Sequence, residues 1–276
     1  MLNEEFVHTS PGKDRRSKVR RIYRSVEEQR QDYMETVTSG GNVVSPSSPL
    51  LCAFRIEDAL SDNDLLQLDE LRLRIPLDLS RPTCPRRFLS EKHLYLVEDT
   101  DAGTAKPMHK EDGWVGGLVD ANLARWDLLG HRGKFFQSLP WFRFLEYSEG
   151  GHMAIHTDGT NLHPGTGARS VATMMIYLST CDEGGETTLY CKVEDTTITK
   201  GNKQGSKYTT VPLEHVAPTR NTVLIFPHSW QHSGDRVQNA AQPKIALRVD
   251  LCLAPSVSTR SNCDAGLDDT YLVPSV

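Results

Sequence analysis

The chain has 276 residues, 38% hydrophobic and 24% charged, which is the make-up of a soluble globular protein with enough length to bury a sizeable core. No apolar run approaches the ~18 residues of a membrane span. The polar opening MLNEEFVHTSPGKDRRSKVRR lacks the apolar segment of a secretory leader, so a cytoplasmic or nuclear location is expected. The net charge of −5 gives the folded part no basic face for nucleic acid.

Residues 1–50 are rich in charge, Ser, Gly and Pro, and read as a disordered basic arm, because such a segment buries too little apolar surface to offset its ordering entropy. Lys13, Arg15, Arg16, Lys18, Arg20, Arg21 and Arg24 crowd one stretch of it, a pattern shared by nuclear-localisation segments and by solvated arms with no partner. A folded unit is expected over 51–254, starting with a short strand in LLCAFRI. Ser61 then opens a helix whose Leu65, Leu68 and Leu71 share a face and which Pro76 ends. HLYLV reads as a strand, and DANLARWDLLG, Asp120 to Gly130, as a second helix closed by glycine.

From Phe142 the apolar runs become short, β-branched or aromatic, and are separated by Gly, Pro, Asn and Asp. RFLEY, HMAIH, VATMMIYLS, TTLYCKV, YTTVPL, TVLIFP and KIALRVDLCL are the predicted strands. So many strands with no helical period between them predict a mainly β domain, an antiparallel sandwich or jelly roll behind an N-terminal helical layer. The segment KVEDTTITKGNKQGSKY, 192–208, is a polar insertion, and 255–276 is a loose tail. Six cysteines, widely spaced and without a C-x-x-C pair, read as reduced thiols.

Two histidines and one carboxylate on one face of a metal leave the opposite face open, the arrangement that iron(II) oxygenases need. His156 and Asp158 in HTD end a predicted strand, and both side chains can reach the same side; alone, such a triplet is also an ordinary surface turn. The strand TVLIFP then runs into HSWQHSGDRV and sets His232 just ahead of a Ser-Gly-Asp turn, where an antiparallel barrel returns it beside HTD. His228 is the alternative third ligand, with a packing role as its competing explanation. In KIALRVD the alternation puts Lys244 and Arg248 on one face, and either can anchor a dicarboxylate, which needs a charge-assisted partner when buried. Tyr147 and Tyr177 are the candidate hydroxyl donors.

The pieces RFLEYSEGGHMAIHTDG, VATMMIYLS, GGETTLY, HVAPTRNTVLIFPHSWQHSGDRV and KIALRVDL, in that order over about 142–253, resemble the prolyl 4-hydroxylase-like branch of the iron(II)/2-oxoglutarate-dependent oxygenases. The resemblance implies a double-stranded β-helix core, with His156, Asp158 and His232 holding iron and acting in catalysis. It places the far carboxylate of 2-oxoglutarate on Lys244, with Tyr147 and Tyr177 lining that pocket and Arg248 in the element that follows. Gly184, Gly185, Glu186 and Thr187 match a turn whose role is mainly structural. Because the loop between His232 and Lys244 is longer than the family's usual spacing, Arg248 stays open beside the preferred Lys244. The implied activity is that of a dioxygenase using Fe(II), 2-oxoglutarate, O2 and, as an accessory reductant, L-ascorbate. A prolyl residue of a protein is the expected substrate, and small-molecule hydroxylation on the same scaffold is the alternative. Two other readings are a non-catalytic metal- or peptide-binding barrel and a zinc hydrolase, the latter opposed by the lack of a Glu beside HTD to act as base.

Overall fold

Side-chain alternation along the strands divides the molecule into two hydrophobic layers on either side of one sheet. The computed structural model describes residues 5–7, 17–23, 52–90, 95–96, 106–107, 114–129, 134–194 and 208–255. In chain order these form β1 (Glu5–Val7), β2 (Lys18–Tyr23), β3 (Cys52–Glu57), α1 (Asp62–Arg74), β4 (Arg86–Ser90), β5 (Tyr95–Leu96), β6 (Lys106–Pro107) and α2 (Val115–Trp126). The remainder is β7 (Lys134–Tyr147), β8 (Met153–His156), β9 (Ser170–Tyr177), β10 (Thr187–Glu194), β11 (Tyr208–Val216), β12 (Val223–Pro227), β13 (His232–Gly234) and β14 (Lys244–Pro255).

The larger sheet has the order β1-β2-β3-β12-β9-β14-β7-β4-β5-β6 and the smaller one β11-β10-β13-β8. From β8 to β14 the chain crosses between the sheets, which gives the antiparallel jelly-roll core, the double-stranded β-helix.

Register fixes what each face of the larger sheet carries. Leu247 lies opposite Phe144 on one side and Ile176 on the other, and Val249 opposite Phe142 and Met174, so these six point outward together. Leu65, Leu68 and Leu71 of α1 and Val115, Val119, Leu123 and Trp126 of α2 cover that face in one cluster. Each such fully buried side chain contributes on the order of 1.5–3 kcal/mol. The other face presents Leu145, Tyr147, Met175, Tyr177, Leu224, Phe226 and Ala246 toward Leu189 and Val216 of the smaller sheet.

The first helix forms as expected: the Ser61 hydroxyl accepts from the Asp64 N–H, and the Asp64 carboxylate accepts from the Ser61 N–H, a capping box. Arg72 ties it to β7 through Glu146 at 2.9 Å, and Arg87 of β4 meets the same carboxylate at 2.5 Å. The second helix differs from expectation, starting at Val115 rather than Asp120 and ending at Trp126 rather than near Gly130. Burial of Val115 and Val119 outweighs the low helix propensity of Gly116 and Gly117, and Asp127 turns left-handed (φ 41°) to stop the helix. Gly130 lies outside the described residues.

Lys18–Tyr23, inside the stretch expected to be a disordered arm, is a strand paired with β3 along its length. Val19 and Ile22 are buried there, and the charged neighbours hide that pattern in the sequence. The rest of that arm apart from β1 and Ser17, most of the HLYLV strand, the centre of the 192–208 insertion and the tail beyond 255 lie outside the described residues. Cys52, Cys84, Cys181, Cys191 and Cys252 are free thiols, and no described helix is long and apolar enough to cross a membrane.

Candidate metal centre

Two strands of the smaller sheet and the turn after one of them assemble a group that could hold a metal ion. His232 on β13 pairs in register with His156 on β8, so the two imidazoles stand side by side with ring centroids 4.2 Å apart. Asp158 follows two residues after His156, and its N–H donates to the His228 carbonyl at 3.1 Å, which turns the chain back beneath the histidines. One ligand atom from each of His156, Asp158 and His232 lies within 4.8 Å of the others.

Hydrogen bonds set the chemical form of these ligands. His156 Nδ1 faces the Ala154 carbonyl at 2.8 Å, and His232 Nδ1 faces the Trp230 carbonyl at 3.1 Å. A carbonyl only accepts, so each Nδ1 carries a proton, and in the neutral tautomer this selects each Nε2 keeps its lone pair. Those Nε2 atoms point at Asp158, His156 at 3.7 Å from Oδ1 and His232 at 3.5 Å from Oδ2. Burial pushes the His232 pKa down to about 4, so the ring is neutral and ready to donate at ordinary pH. For Asp158 burial pulls the pKa upward, but Arg248, His232 and the Thr173 hydroxyl together outweigh it and hold the carboxyl below its usual range. Two bare imidazole nitrogens and one ionised carboxylate are the donor set a divalent transition metal takes.

Asp158 is held from outside as well. Thr173 on β9 donates to its Oδ2 at 2.5 Å, and Arg248 on β14 donates to Oδ1 at 2.7 Å. His228 is not part of the group. It packs in the layer behind, its Nδ1 3.5 Å from the Ser170 hydroxyl and its Nε2 3.9 Å from Asp250, and burial lowers its pKa against the pull of the two aspartates.

A cavity open to solvent lies between the sheets. Its wall includes His156 and His232 with Lys244, Tyr147, Thr187 and Arg248. Lys244 is 1% exposed, and its ammonium's hydrogen-bond partners among the described residues are the Thr187 hydroxyl at 3.1 Å and the Glu186 carbonyl at 3.5 Å. The Tyr147 and Tyr177 rings flank it, with centroids 5.2 and 5.8 Å away. Burial pushes its pKa down to about 8, against the more distant Asp235. A buried ammonium whose hydrogen-bond partners are all uncharged is an incomplete site for an anion, and a carboxylate reaching the cavity floor completes it. Arg248, by contrast, already faces Asp158 and Asp250.

The fold therefore brings His156, His232, Lys244, Arg248 and Tyr147 around one space, with Asp158 beside the two histidines. Tyr177 stands one layer back, fully buried, its hydroxyl donating to Thr187 Oγ1 at 2.8 Å, so that Thr187 and not Tyr177 forms the wall. Burial raises the pKa of both tyrosines and keeps them as neutral donors. Thr173, Arg86 and Arg143 escape the sequence reading, and Thr187 enters it only as part of a structural turn. Alternation from Tyr147 back to Arg143 on the same strand is the signal that could have found Arg143.

Residues 142–249 match the family model described as the 2OG-Fe(II) oxygenase superfamily. No curated protein matches the chain. Among solved structures, an oxidoreductase of the 2OG-Fe(II) oxygenase family from Burkholderia pseudomallei aligns at 14% identity, covering 70% of this chain and 80% of that one, with a TM-score of 0.46. A prolyl-4-hydroxylase from Pseudomonas putida aligns at 14% identity over 72% and 91%, TM-score 0.44. HygX from Streptomyces hygroscopicus, solved with nickel, 2-oxoglutarate and hygromycin B, aligns at 11% identity over 74% and 83%, TM-score 0.42.

Proposed function

Residues 142–249 belong to the 2OG-Fe(II) oxygenase superfamily, and from that premise we propose that this chain hydroxylates a prolyl residue of a protein, with His156, Asp158 and His232 holding iron and Lys244 anchoring 2-oxoglutarate. The observation that carries the site assignment is one cavity with two bare imidazole nitrogens beside an ionised carboxylate and, on its floor, a buried ammonium without a charged partner. The choice of a prolyl residue rests on the order of the five motifs, which follows the prolyl 4-hydroxylase-like branch.

When bound, iron(II) with 2-oxoglutarate and O2 supplies oxidative decarboxylation to succinate and CO2, with one oxygen atom delivered to a substrate C–H bond. The chain's own residues bind and orient. The Ala154 and Trp230 carbonyls keep the two imidazoles in the form that presents Nε2. Thr173 and Arg248 fix both carboxylate oxygens of Asp158. Lys244 and the Thr187 hydroxyl receive the far carboxylate of the cosubstrate, and Tyr177 fixes Thr187 from behind. Leu145, Met175 and Phe226 line the same cavity and limit water around the reacting atoms. Arg248 supports Asp158 in this reading, which separates its role from that of Lys244.

Two measurements test the proposal. Anaerobic addition of iron(II) and then 2-oxoglutarate should produce a weak visible absorption band in the parent protein and none in a His156→Ala, Asp158→Ala double variant; no band in the parent would leave a non-catalytic barrel. Mass spectrometry of cell extracts incubated with the protein should then show one added oxygen on proline. Oxygen gained only by small metabolites would establish the small-molecule alternative.

A further inference from the structure

The mouth of the cavity is lined by arginine. Three neighbouring strands of the larger sheet each turn one inward: Arg86 from β4, Arg143 from β7 and Arg248 from β14. Arg143 and Arg248 are directly opposite in the ladder, and Arg86 lies opposite Leu145, one same-face step from Arg143. Exposed Arg81, just before β4, adds a fourth guanidinium to the wall. The cations grade in exposure from floor to rim: Lys244 is 1% exposed, and the side chains of Arg248, Arg86 and Arg143 are 16%, 21% and 24% exposed.

Like charges set opposite one another destabilise a sheet, so this crowding needs compensation. Only part of it is supplied. Asp78 pairs with Arg86, Asp250 is shared between Arg143 and Arg248, and Asp158 pairs with Arg248 but also belongs to the metal-binding group. No Asp or Glu is among the wall residues, and the Arg81 side chain has no hydrogen-bond or ion-pair partner among the described residues. The Arg248 Nε is buried without a hydrogen-bond partner among them as well. Loading the site does not neutralise the rim, because the charges of iron(II) and of the 2-oxoglutarate dianion cancel each other.

We propose that the substrate is an acidic peptide, carrying an Asp or Glu side chain near the residue modified, which Arg81, Arg86 and Arg143 receive at the mouth. This rests on the peptide reading above and adds the charge of the flanking sequence. Protein surface charge so placed also raises the rate of encounter with an anionic partner, an effect that salt screens.

The test uses fluorescence anisotropy with the protein loaded anaerobically with iron(II) and 2-oxoglutarate. The probes are three labelled peptides with one proline flanked by Glu, Gln or Lys. The Glu peptide is expected to bind about fivefold or more tighter than the Gln peptide, the scale of one or two partly exposed ion pairs, with the Lys peptide weakest. Added salt should shrink the difference. Arg81 is exposed, so Arg81→Gln and Arg81→Glu keep the fold, which a melting curve verifies; the first should reduce the Glu preference and the second should shift it toward Lys. Equal binding of Glu and Gln peptides, no binding of the Glu peptide, or an Arg81→Glu effect that falls equally on 2-oxoglutarate binding would each overturn the proposal. Admitting air separates it from the reading beneath it. Preferential binding of the Glu peptide without oxygen gain on proline sinks the prolyl assignment alone, and equal oxygen gain in Glu and Gln peptides that bind equally sinks the acidic-peptide inference alone.

Discussion

The two faces of the larger sheet are made by the same strands, one residue apart, and they do opposite work. On β14, Leu247 and Val249 point into the helical layer and join its apolar cluster, while Lys244 and Arg248 point into the cavity and meet hydroxyls, carboxylates and aromatic faces. A period of two thus lets one strand carry both the stabilising core and the reactive wall, with each set substitutable without moving the other. The outer face tolerates only apolar volume. The inner face holds buried charges, which contribute little net stability.

Substitutions can break that division, and the largest effect is expected at the metal-binding group. His156→Ala with Asp158→Ala should reduce 2-oxoglutarate decarboxylation beyond the roughly 10- to 100-fold typical of residues that only support a ligand, while circular dichroism and melting stay near those of the parent. Residual turnover close to the parent rate would remove these residues from the site. Lys244→Met should raise the KM for 2-oxoglutarate by about 100-fold, the scale of removing one partner of a buried charge pair, without lowering the melting temperature, since an uncompensated buried charge is lost. If Arg248→Met raises that KM more than Lys244→Met does, the anchor and the Asp158 support exchange roles.

Leu247→Ala on the opposite face should cost about 2–5 kcal/mol in denaturant unfolding and leave the KM of the surviving folded protein unchanged. A shift in KM would show that the faces are coupled. Lys244 gives a pH dependence with a fixed sign. Its ammonium is charged below about 8 and neutral above, so 2-oxoglutarate affinity should fall as pH rises through that value, at most tenfold per pH unit, and be flat below it. Rising affinity over pH 8–9.5, measured by calorimetry, would take the lysine out of the anchor role. The smallest effect is expected at the α1 cap, where Ser61→Ala should cost about 1 kcal/mol and change neither KM nor the visible band.

Strand-forming runs, the start of α1 at Ser61 and the HTD step were legible because each is a local pattern with a local cause. The Ser-Gly-Asp turn expected after His232 is instead strand β13, since pairing with β8 and β10 holds His232–Gly234 extended. The start of α2 was not legible either, because Gly116 and Gly117 lower local helix propensity and only burial against the sheet reverses it. Lys18–Tyr23 was hidden in the same way, its strand state being set by pairing with Cys52–Glu57 rather than by its own composition. In the site, the 2-His-1-carboxylate residues are legible only as a set, because HTD alone is also an ordinary turn and gains meaning from the later His232 segment and the basic strand behind it. Thr173, Thr187 and Arg143 are common residues that gain meaning only from register, through the positions of Asp158, Lys244 and Arg248. Lys244 and Arg248 share a face by alternation, and what differs between them, the Asp158 and Asp250 carboxylates beside Arg248, is likewise visible only in the folded chain.

The register of His232 with His156 gives the metal a second consequence, in chain topology. A metal held by both is a cross-link between strands widely separated in the chain, and it closes a loop that contains all of β9, β10, β11 and β12. Such a clasp limits the freedom of the unfolded chain and binds only when β8 and β13 are paired. Its grip falls on the smaller sheet, which has no helical layer of its own in the described structure. Amide protons of β8 and β13 should therefore exchange faster when metal is stripped, while those of β9 and β14 keep their protection.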